Sequence, residues 1–503
     1  MAKKRNRRVL RVILCTFILC FLSSTALALY VDKDNTIEMK GKVQTRFSFR
    51  TEDSSGFTFP EVSAGDWVQF RNIAYLEMTH DLHKVMDKTW LLAPFEALKL
   101  DVQYHLVGRF LYEGIYEVGP DQFQMVKDEN YDVIREFESD ISLWEAYADL
   151  SRGSMFFRIG KQNLSWGETD VFRLLDQINP LDNTFGGFFE DLDDRRIPIM
   201  MVRGSYNFGR IGPLGNVTLE SFWNPTPMDN TVSPFAPYGS VYAFPAPPPT
   251  EGVETRFIEP EKNMDDSRYG FRLQGMMADN FAFSVAHYRS YVDVPALRVV
   301  LDPGPVQELV YSDINVTGGS LNFYEGFTDT VFRSEVTWTW DMPIFIPETN
   351  APLLLGIPES GTIPTKGMLG FMVGFDKNMW IRLLNKRNTF FVSAQYFGQW
   401  FPDFDERMRV AAVSFSTGEF ETIKELEQSM TLLISTSYRS GTINPQLAFV
   451  YDPRGAYMIQ PQLTFVWEPI RFLIQWTAVN GEQHGIGFFN DRDQLTVGLS
   501  VLF

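Results

Sequence analysis

The sequence predicts a transmembrane antiparallel β-barrel of about 18 strands. Three observations support this prediction: a basic and apolar leader, apolar residues that alternate with polar ones in runs of about ten, and long acidic loops that alternate with short turns. Tilted strands of that length can cross a bilayer. In hydrocarbon, strands satisfy all their backbone groups only when they close into a barrel.

The leader, residues 1–28, has the pattern of a secretory signal peptide. Five basic residues precede an apolar stretch from Val9 to about Leu22, and residues 26–28 read Ala-Leu-Ala, a small-residue cleavage motif. The apolar stretch is too short to anchor the chain in a bilayer. We therefore expect cleavage after residue 28 and a barrel formed by residues 29–503.

The composition excludes several classes of protein. The chain has 63 acidic and 45 basic residues, and six of the basic ones lie in the leader, so the mature net charge is −24. Nucleic-acid binders carry a basic surface, so this class is excluded. Both cysteines, Cys15 and Cys20, lie in the leader. The mature chain thus has no thiol for a disulfide, a thiolate metal site or a nucleophile.

The run from Ile37 to Phe49 shows the alternation most clearly. Apolar or small residues hold most odd positions and polar or charged residues hold the even ones. Because successive strand residues face opposite sides, one face is apolar and the other is charged. A soluble β-sandwich strand alternates in the same way. The runs here recur along the whole chain and are longer than usual soluble strands, which favours a membrane barrel.

Eighteen strands are predicted, and sixteen is the alternative if one pair is assigned wrongly. They are expected to begin near residues 37, 67, 97, 141, 154, 197, 215, 268, 280, 313, 329, 367, 389, 429, 443, 456, 471 and 493. Short turns follow even-numbered strands and long loops follow odd-numbered ones, which places both ends of the mature chain in the periplasm. Two connections fit less well, since 82–96 is long for a turn and 452–455 is short for an outer loop.

The period of two also predicts which charged side chains face the lumen. The pore-lining candidates are Arg46, Arg71, Arg109, Glu145, Arg158, Arg203, Glu220, Arg272, Arg333 and Glu335. One interpretation is that these charges pair across strands and keep the lumen wet. The other is a mildly anion-tolerant pore behind an acidic outer rim.

The loop at about 164–196 is rich in apolar and aromatic residues, whose exposure to water is unfavourable. We expect it to fold into the barrel and narrow the pore, and the alternative is a lid packed on top. A helix is predicted over 169–177, ended by Asn179-Pro180. Arg173, Arg195 and Arg196 are expected to meet Glu145 or Glu220. The constriction candidates are Trp166, Glu168, Arg173, Asn179, Pro180, Asp182, Arg195 and Arg196.

Residues 141–200 resemble the core of the DUF1302 family of Gram-negative outer-membrane proteins. The resemblance lies in the segments Leu143–Leu150, Phe157–Gln162, Ser165–Glu168 and Ile178–Asp182, with looser similarity at Phe332–Val336 and Val373–Asp376. It implies a barrel in the cell outer membrane. It also suggests an association with inner-membrane transporters of the resistance-nodulation-division type, which move hydrophobic or lipid-like molecules. It implies no catalytic or binding residues.

The last strand alternates up to the terminal aromatic residue Phe503. This resembles the terminal strand that outer-membrane barrels present to the barrel-assembly machinery, so Phe503 is predicted to be an insertion signal. No nucleophile-elbow or zinc-protease motif is present in the sequence. We therefore predict no enzyme activity, no metal and no cofactor.

The function expected from these features is that of an outer-membrane channel or transporter, surrounded by membrane lipid and lipopolysaccharide. The first hypothesis is a conduit for hydrophobic or amphipathic molecules linked to an envelope transport system. Two alternatives stay open. One is a general diffusion porin with a mildly anion-tolerant lumen, and the other is a structural or barrel-embedded lipid-modifying protein.

Overall fold

A computed structural model describes most of the chain beyond the predicted leader. The described residues are 29–54, 61–83, 93–129, 134, 138–184, 189–190, 192–234, 253–278, 280–413, 420–482 and 484–503. The predicted signal peptide, residues 1–28, lies outside them.

Strands make up most of the described chain. In chain order they are β1 (Leu29–Tyr30), β2 (Ile37–Arg50), β3 (Trp67–Asp81), β4 (Asp101–Glu113), β5 (Ser139–Arg152), β6 (Met155–Gln162), β7 (Ile199–Ile211), β8 (Leu214–Asn224), β9 (Glu254–Ile258), β10 (Arg268–Met277), β11 (Phe281–Tyr291), β12 (Ala296–Leu301), β13 (Pro305–Val310), β14 (Asp313–Glu325), β15 (Thr330–Pro343), β16 (Thr365–Met379), β17 (Phe390–Trp400), β18 (Arg409–Val413), β19 (Phe420–Thr422), β20 (Leu426–Ser435), β21 (Ile443–Asp452), β22 (Ala456–Trp467), β23 (Ile470–Asn480) and β24 (Gln494–Leu502).

The helices are short. The α-helices are α1 (Ala93–Ala97), α2 (Ile115–Val118), α3 (Asp121–Glu129), α4 (Leu192–Arg195) and α5 (Pro347–Asn350), and 3₁₀ turns cover Pro352–Leu355, Arg439–Gly441 and Gly485–Phe489. Within the described ranges, none of these helices has the length and apolar character that a membrane span requires.

Eighteen of the strands form one closed antiparallel barrel. Neighbours in the chain pair in order. The two-residue strand β1 pairs with β2 outside the closed ring, and β9, β12, β13, β18 and β19 form small separate sheets. The barrel closes where β2 pairs with β24, from Lys42 opposite Leu502 to Arg50 opposite Gln494. The prediction of 18 strands is confirmed and the sixteen-strand alternative is wrong. Every strand begins within four residues of its predicted start.

The two faces of the barrel wall differ as the alternation predicts. Outward side chains such as Leu76, Phe271 and Val336 are apolar and largely exposed. Trp340 and Trp467, near strand ends, are each 55% exposed. An apolar outer band with tryptophans near its edges is the architecture of transmembrane barrels.

Short turns and long loops segregate to opposite ends of the barrel, hereafter the turn end and the loop end. At the turn end, β5 and β6 are joined by a tight hairpin that needs Gly153 with φ of 58°, a left-handed conformation that glycine adopts without strain. At the loop end, Phe123 and Ile134 of one loop pack in a buried cluster with Phe189, Met458 and Ile486. The loops therefore share an apolar core above the lumen.

Candidate functional site in the barrel lumen

The connection between β6 and β7, residues 163–198, is called the inserted loop below, and its described residues, 163–184, 189–190 and 192–198, lie inside the barrel. Described residues of this loop touch strands far apart around the circumference, including Arg71 on β3, Glu220 on β8 and Gln395 on β17. Leu175 and Ile178 are fully buried. The described part of the loop therefore contacts inward side chains on several strands.

Glu335 on β15 holds two points of the inserted loop. Its carboxylate accepts the backbone N–H of Glu168 at 2.7 Å and that of Leu175 at 2.6 Å. Glu335 is completely buried, so these charge-assisted bonds are made away from bulk water. They fix the distance between the two backbone positions.

The predicted helix over 169–177 is wrong, because this stretch is irregular. In an α-helix the N–H of Leu175 would bond to the carbonyl of Val171. It bonds instead to the carboxylate of Glu335. The helical sequence pattern is overridden because the N–H finds an acceptor on a strand more than 150 residues later in the sequence.

Glu220 on β8 is the second anchor. It accepts the indole Nε1–H of Trp166 at 3.1 Å and pairs with Arg272 at 2.7 Å and with Arg203. Trp166 is 1% exposed and packs edge-on against Phe222, at a centroid distance of 5.2 Å. The inserted loop is thus fixed to the wall through one carboxylate shared by three donors.

Asn179 closes the base of the inserted loop. Its side chain accepts the N–H of Leu164 at 2.8 Å and donates to the carbonyl of Ile197 at 2.8 Å. The carbonyl of Pro180 accepts the N–H of Ile197 at 2.9 Å. These bonds tie the two ends of the loop together at the barrel wall.

Further arginines hold the loop from other strands. Arg333 on β15 donates to the carboxylates of Asp170 at 2.7 Å and Asp376 at 2.9 Å, and to the carbonyl of Glu168 at 2.8 Å. On the far side of the lumen, Arg46 and Arg71 both pair with Glu190. All three arginines therefore hold described residues of the inserted loop.

Two of the remaining predicted pore residues pair within the wall. Arg158 binds the directly opposed Asp149 at 2.7 Å, and Arg109 binds Asp140 at 2.9 Å. Glu145 instead accepts from the side chain of Asn163, the first residue of the inserted loop, at 2.9 Å. Pairing across strands therefore engages many of the inward charges.

The expectation that Arg173, Arg195 and Arg196 meet Glu145 or Glu220 is wrong. Arg173 pairs with Asp293 and donates to the carbonyl of Asn179, while Arg195 donates to Asn183 and to the carbonyl of Asp182. Arg196 pairs with Asp176 and Asp193. The physical reason is that acids and carbonyls near the loop lie closer to these arginines than Glu145 and Glu220 do.

Cavities remain beside the inserted loop. One of about 550 Å³ lies between described residues of the loop and the wall formed by β17, β20, β21 and β22. A second of about 580 Å³ lies nearer the turn end, and Gln446 lines both. The two cavities adjoin along one side of the barrel, and together they are called the passage below.

The wall of this passage differs from the rest of the lumen. The wall residues that line the upper cavity are all uncharged, and those whose side chains alternate inward offer hydroxyl, amide and apolar groups: Ser393, Thr431, Leu433, Gln446, Ala448, Val450, Met458 and Gln460. Arg471 is the one charged residue among those that line the lower cavity. We call β17 and β20–β22 the neutral wall. The sequence-based prediction missed it because it considered only the inward charges, although the inward positions of β20–β22 already read as Thr, Gln and Ser.

Within the described residues, no group of three or more His, Cys, Asp or Glu side chains is placed to hold a metal ion.

A family model described as "Protein of unknown function (DUF1302)" matches residues 9–503. No curated protein is detectably similar to the chain. Among solved structures, it is similar to Acinetobacter baumannii OccAB4, with a TM-score of 0.48 and 10% identity over 94% of this chain and 100% of that one. It is also similar to Pseudomonas aeruginosa OccK5 (OpdH), with a TM-score of 0.45 and 9% identity over 93% and 98% of the two chains. The chain belongs to the DUF1302 family.

Proposed function

We propose that this member of the DUF1302 family is an outer-membrane channel that passes amphipathic molecules along the neutral wall of its lumen. The observation that carries the proposal is the division of the lumen. Arginines and carboxylates such as Arg333 and Glu220 are engaged in holding the inserted loop. The open passage borders uncharged side chains on the wall side.

The chemistry of the passage suits a molecule with both polar and apolar parts. Thr431, Gln446 and Gln460 offer hydrogen bonds, while Leu433 and Met458 offer apolar contact within the same cavity. Acidic groups of the inserted loop, Asp170 and Asp193 among them, face the cavity from the other side. Arg196 also lines the cavity but pairs with Asp176 and Asp193. The loop side therefore carries more acid than base, which favours a neutral or cationic amphiphile over an anion.

A general diffusion porin is less well supported, since the inserted loop occupies much of the lumen. A lipid-modifying enzyme is less well supported too, because such an enzyme needs a nucleophile and a base within hydrogen-bond reach. His287 shares a hydrogen bond with Thr317 at 2.9 Å, and His105 shares one with Thr79 at 3.0 Å. Both bonds join neighbouring strands of the barrel wall.

The proposal is tested by single-channel recording of the refolded protein in a planar bilayer. We expect a small conductance that is blocked by heptyl glucoside but not by glucose, because the alkyl chain adds contact with the aliphatic part of the neutral wall. A large conductance indifferent to both compounds would identify a diffusion porin. The absence of any conductance would identify a structural barrel.

The partner suggested by the family resemblance forms part of the proposal. A channel for amphipathic molecules needs a source or a recipient of such molecules across the periplasm, and an inner-membrane transporter of the resistance-nodulation-division type would provide it. Cross-linking in cells, with the cross-linker placed at turn-end residues such as Phe327, is expected to capture such a transporter. The matched control carries the cross-linker at the loop end, at Leu354.

A further inference from the structure

The connection between β16 and β17 presents apolar side chains at the turn end of the barrel. It spans residues 380–389 and is called the apolar turn below. Leu383, near its tip, is 92% exposed, and Trp380 and Leu384 are also exposed. Apolar groups of this size are unfavourable in water. The apolar turn therefore calls for a partner that is itself apolar.

The apolar turn is held in a defined position by one buried side chain. The amide nitrogen of Asn385 donates to the hydroxyl of Thr436 and to the carbonyl of Ser437, both at 3.0 Å. The amide oxygen of Asn385 accepts the backbone N–H groups of Arg387 and Asn388, also at 3.0 Å. Asn385 thus fixes the turn against the neighbouring connection between β20 and β21.

The apolar turn leans over the outer side of the barrel wall. On β20 the even-numbered side chains face outward, as the exposure of Met430 shows. The pairing with β21 continues to the bridge between Tyr438 and Ile443, so the outward series extends to Tyr438. The hydroxyl of Tyr438 donates to the carbonyl of Leu384 at 3.3 Å. Both this contact and that of Thr436 with the turn are thus made by the outward series of β20.

The apolar turn continues the lipid-facing band of the barrel. Met379, the last residue of β16, belongs to the same exposed outward series as Val373 and Phe375. Trp467, at the turn end of β22, lies at the same edge of the band. Tryptophans are enriched where the hydrocarbon of a membrane meets the headgroups. Trp380, which directly follows Met379, therefore has the position of an interfacial residue.

The charged residues of the apolar turn are all basic. They are Arg382, Lys386 and Arg387, and all three are exposed. Among the described residues, none of the three forms an ion pair with a carboxylate. The guanidinium of Arg382 lies over the ring of Trp380, 5.2 Å from its centre. Because the mature chain is strongly acidic as a whole, a local excess of base beside apolar groups favours an anionic and apolar partner.

A second turn at the same end of the barrel separates apolar exposure from charge. Phe327, between β14 and β15, is 96% exposed. Its neighbours are acidic, since the carboxylate of Glu325 accepts the N–H of Phe327 at 2.7 Å and Asp329 follows two residues later. An apolar tip alone is therefore not particular to the apolar turn, but its combination with three basic residues is absent from the β14–β15 turn.

We propose that the apolar turn inserts into the periplasmic leaflet of the outer membrane and binds the headgroup phosphate of an anionic phospholipid. Leu383 and Leu384 lie among the acyl chains, while Arg382, Lys386 and Arg387 reach the headgroups, as amphipathic basic side chains do at membrane surfaces. Guanidinium groups match phosphate oxygens in geometry as well as charge. The inference concerns the outside of the barrel and is independent of what passes through the lumen.

The proposal is tested with a single fluorescent label on the turn. Because both cysteines of the chain lie in the leader, the mature variant Leu383→Cys takes a bimane label at one place. The refolded protein is placed in phosphatidylcholine nanodiscs that contain a small share of doxyl-labelled phosphatidylglycerol or doxyl-labelled phosphatidylcholine. We expect severalfold stronger quenching by the anionic lipid. The matched control, Phe327→Cys with the same label, is expected to show no preference for it.

Two further arms identify the groups responsible. Replacing Arg382, Lys386 and Arg387 with Gln, in the labelled Leu383→Cys protein, is expected to make the two doxyl lipids quench equally while both still quench. High salt is expected to reduce the preference of the parent in the same direction, because it screens the charges. Heat-modifiable migration verifies that each variant is folded, and the substituted positions are all exposed.

Other outcomes would overturn the proposal. Equal quenching of the parent by both lipids would show insertion without recognition of the headgroup. Quenching by aqueous iodide but by neither lipid would place the turn in water and leave its apolar surface to a periplasmic protein. An anionic preference that survives the triple substitution, or that the Phe327 control shares, would mean that the basic residues of the turn do not cause it. Because none of these readouts depends on conductance, failure of the channel function would leave them unaffected.

Discussion

The indole of Trp166 donates its Nε1–H to Glu220, and this bond joins the inserted loop to the barrel wall. The same carboxylate receives Arg203 and Arg272 from the two strands on either side. Glu220 therefore binds both the inward arginines of the neighbouring strands and the loop inside the barrel. This explains why the loop keeps its position without a regular secondary structure of its own.

Replacing Glu220 with Gln should loosen this anchor. The substitution keeps the shape but removes the charge that two guanidinium groups share, and hydrogen bonds to charged groups contribute about 1.5–3 kcal/mol each. We expect a lower urea midpoint and a red-shifted Trp166 emission. Glu468→Gln, at an exposed residue 3.9 Å from Arg471, is the control. An unshifted Trp166 emission would contradict the anchoring role.

Deletion of residues 169–192 should widen the lumen. The deleted stretch contains most of the loop that borders the upper cavity, while the barrel ladders do not depend on it. Conductance is expected to rise severalfold, and Trp166, buried in the intact protein, should become accessible to acrylamide. Shortening the tip at 302–304, between β12 and β13, is the control and should change neither quantity. Unchanged conductance in the larger deletion would mean that the constriction lies elsewhere.

Glu335→Gln should make the inserted loop mobile. The amide offers one acceptor in place of two, so the N–H of Glu168 or Leu175 loses its partner, at a cost of about 1–3 kcal/mol for a buried group. Trypsin cleavage at Arg173 is the measurement, and it should become faster. Glu325→Gln is a matched control, because Glu325 also accepts two backbone N–H groups, those of Phe327 and Thr328, but in an exposed turn. Equal cleavage of both variants would argue against a specific role.

Phe503 and Gly41 should matter together for assembly. They exchange backbone bonds at 2.5 and 2.9 Å, and a Cβ on Gly41 would lie 2.3 Å from the Phe503 ring. Gly41→Val, like deletion of Phe503, should reduce the amount of heat-modifiable folded barrel in cells. Gly108→Val is the control, since the nearest atom to its Cβ is 3.9 Å away. Normal folding of Gly41→Val would contradict a closing role for this contact.

The predicted leader can be checked directly. Amino-terminal sequencing of the protein from outer-membrane fractions is expected to begin at Leu29, because the small-residue motif at 26–28 precedes it. Recovery of the chain from the inner membrane with residues 1–28 attached would contradict both the leader and the barrel's location.

The strands were predictable because their signal is local. Each strand shows its two faces in consecutive residues, as Ile37 to Phe49 does, and tight turns such as the one at Gly153 mark where it ends. The same two-residue alternation predicts that Arg46, Arg71 and Arg333 face the lumen.

The partners inside the lumen were not predictable, because they depend on residues distant in the chain. The residues near Leu175 in the sequence do not indicate that its N–H bonds to Glu335, so the local pattern predicted a helix. Arg173 likewise pairs with Asp293, a residue outside its own loop and outside the barrel strands. The neutral wall was not predicted for a different reason. An uncharged inward residue such as Thr431 does not by itself distinguish a cavity lining from any other part of a strand.

The division of the lumen has a consequence for which residues can be replaced. The charged half must be retained as a set, because Glu220 and Glu335 each satisfy several donors and a change in one leaves the others unmatched. On the neutral wall, β17 shares this obligation because Gln395 binds Asp170 of the loop. Thr431, Leu433 and Gln460 on β20 and β22 are not among the loop's anchors, so replacing them is expected to alter the lining of the passage and leave the loop in place. The chemistry of the passage can therefore change from one side of the barrel alone.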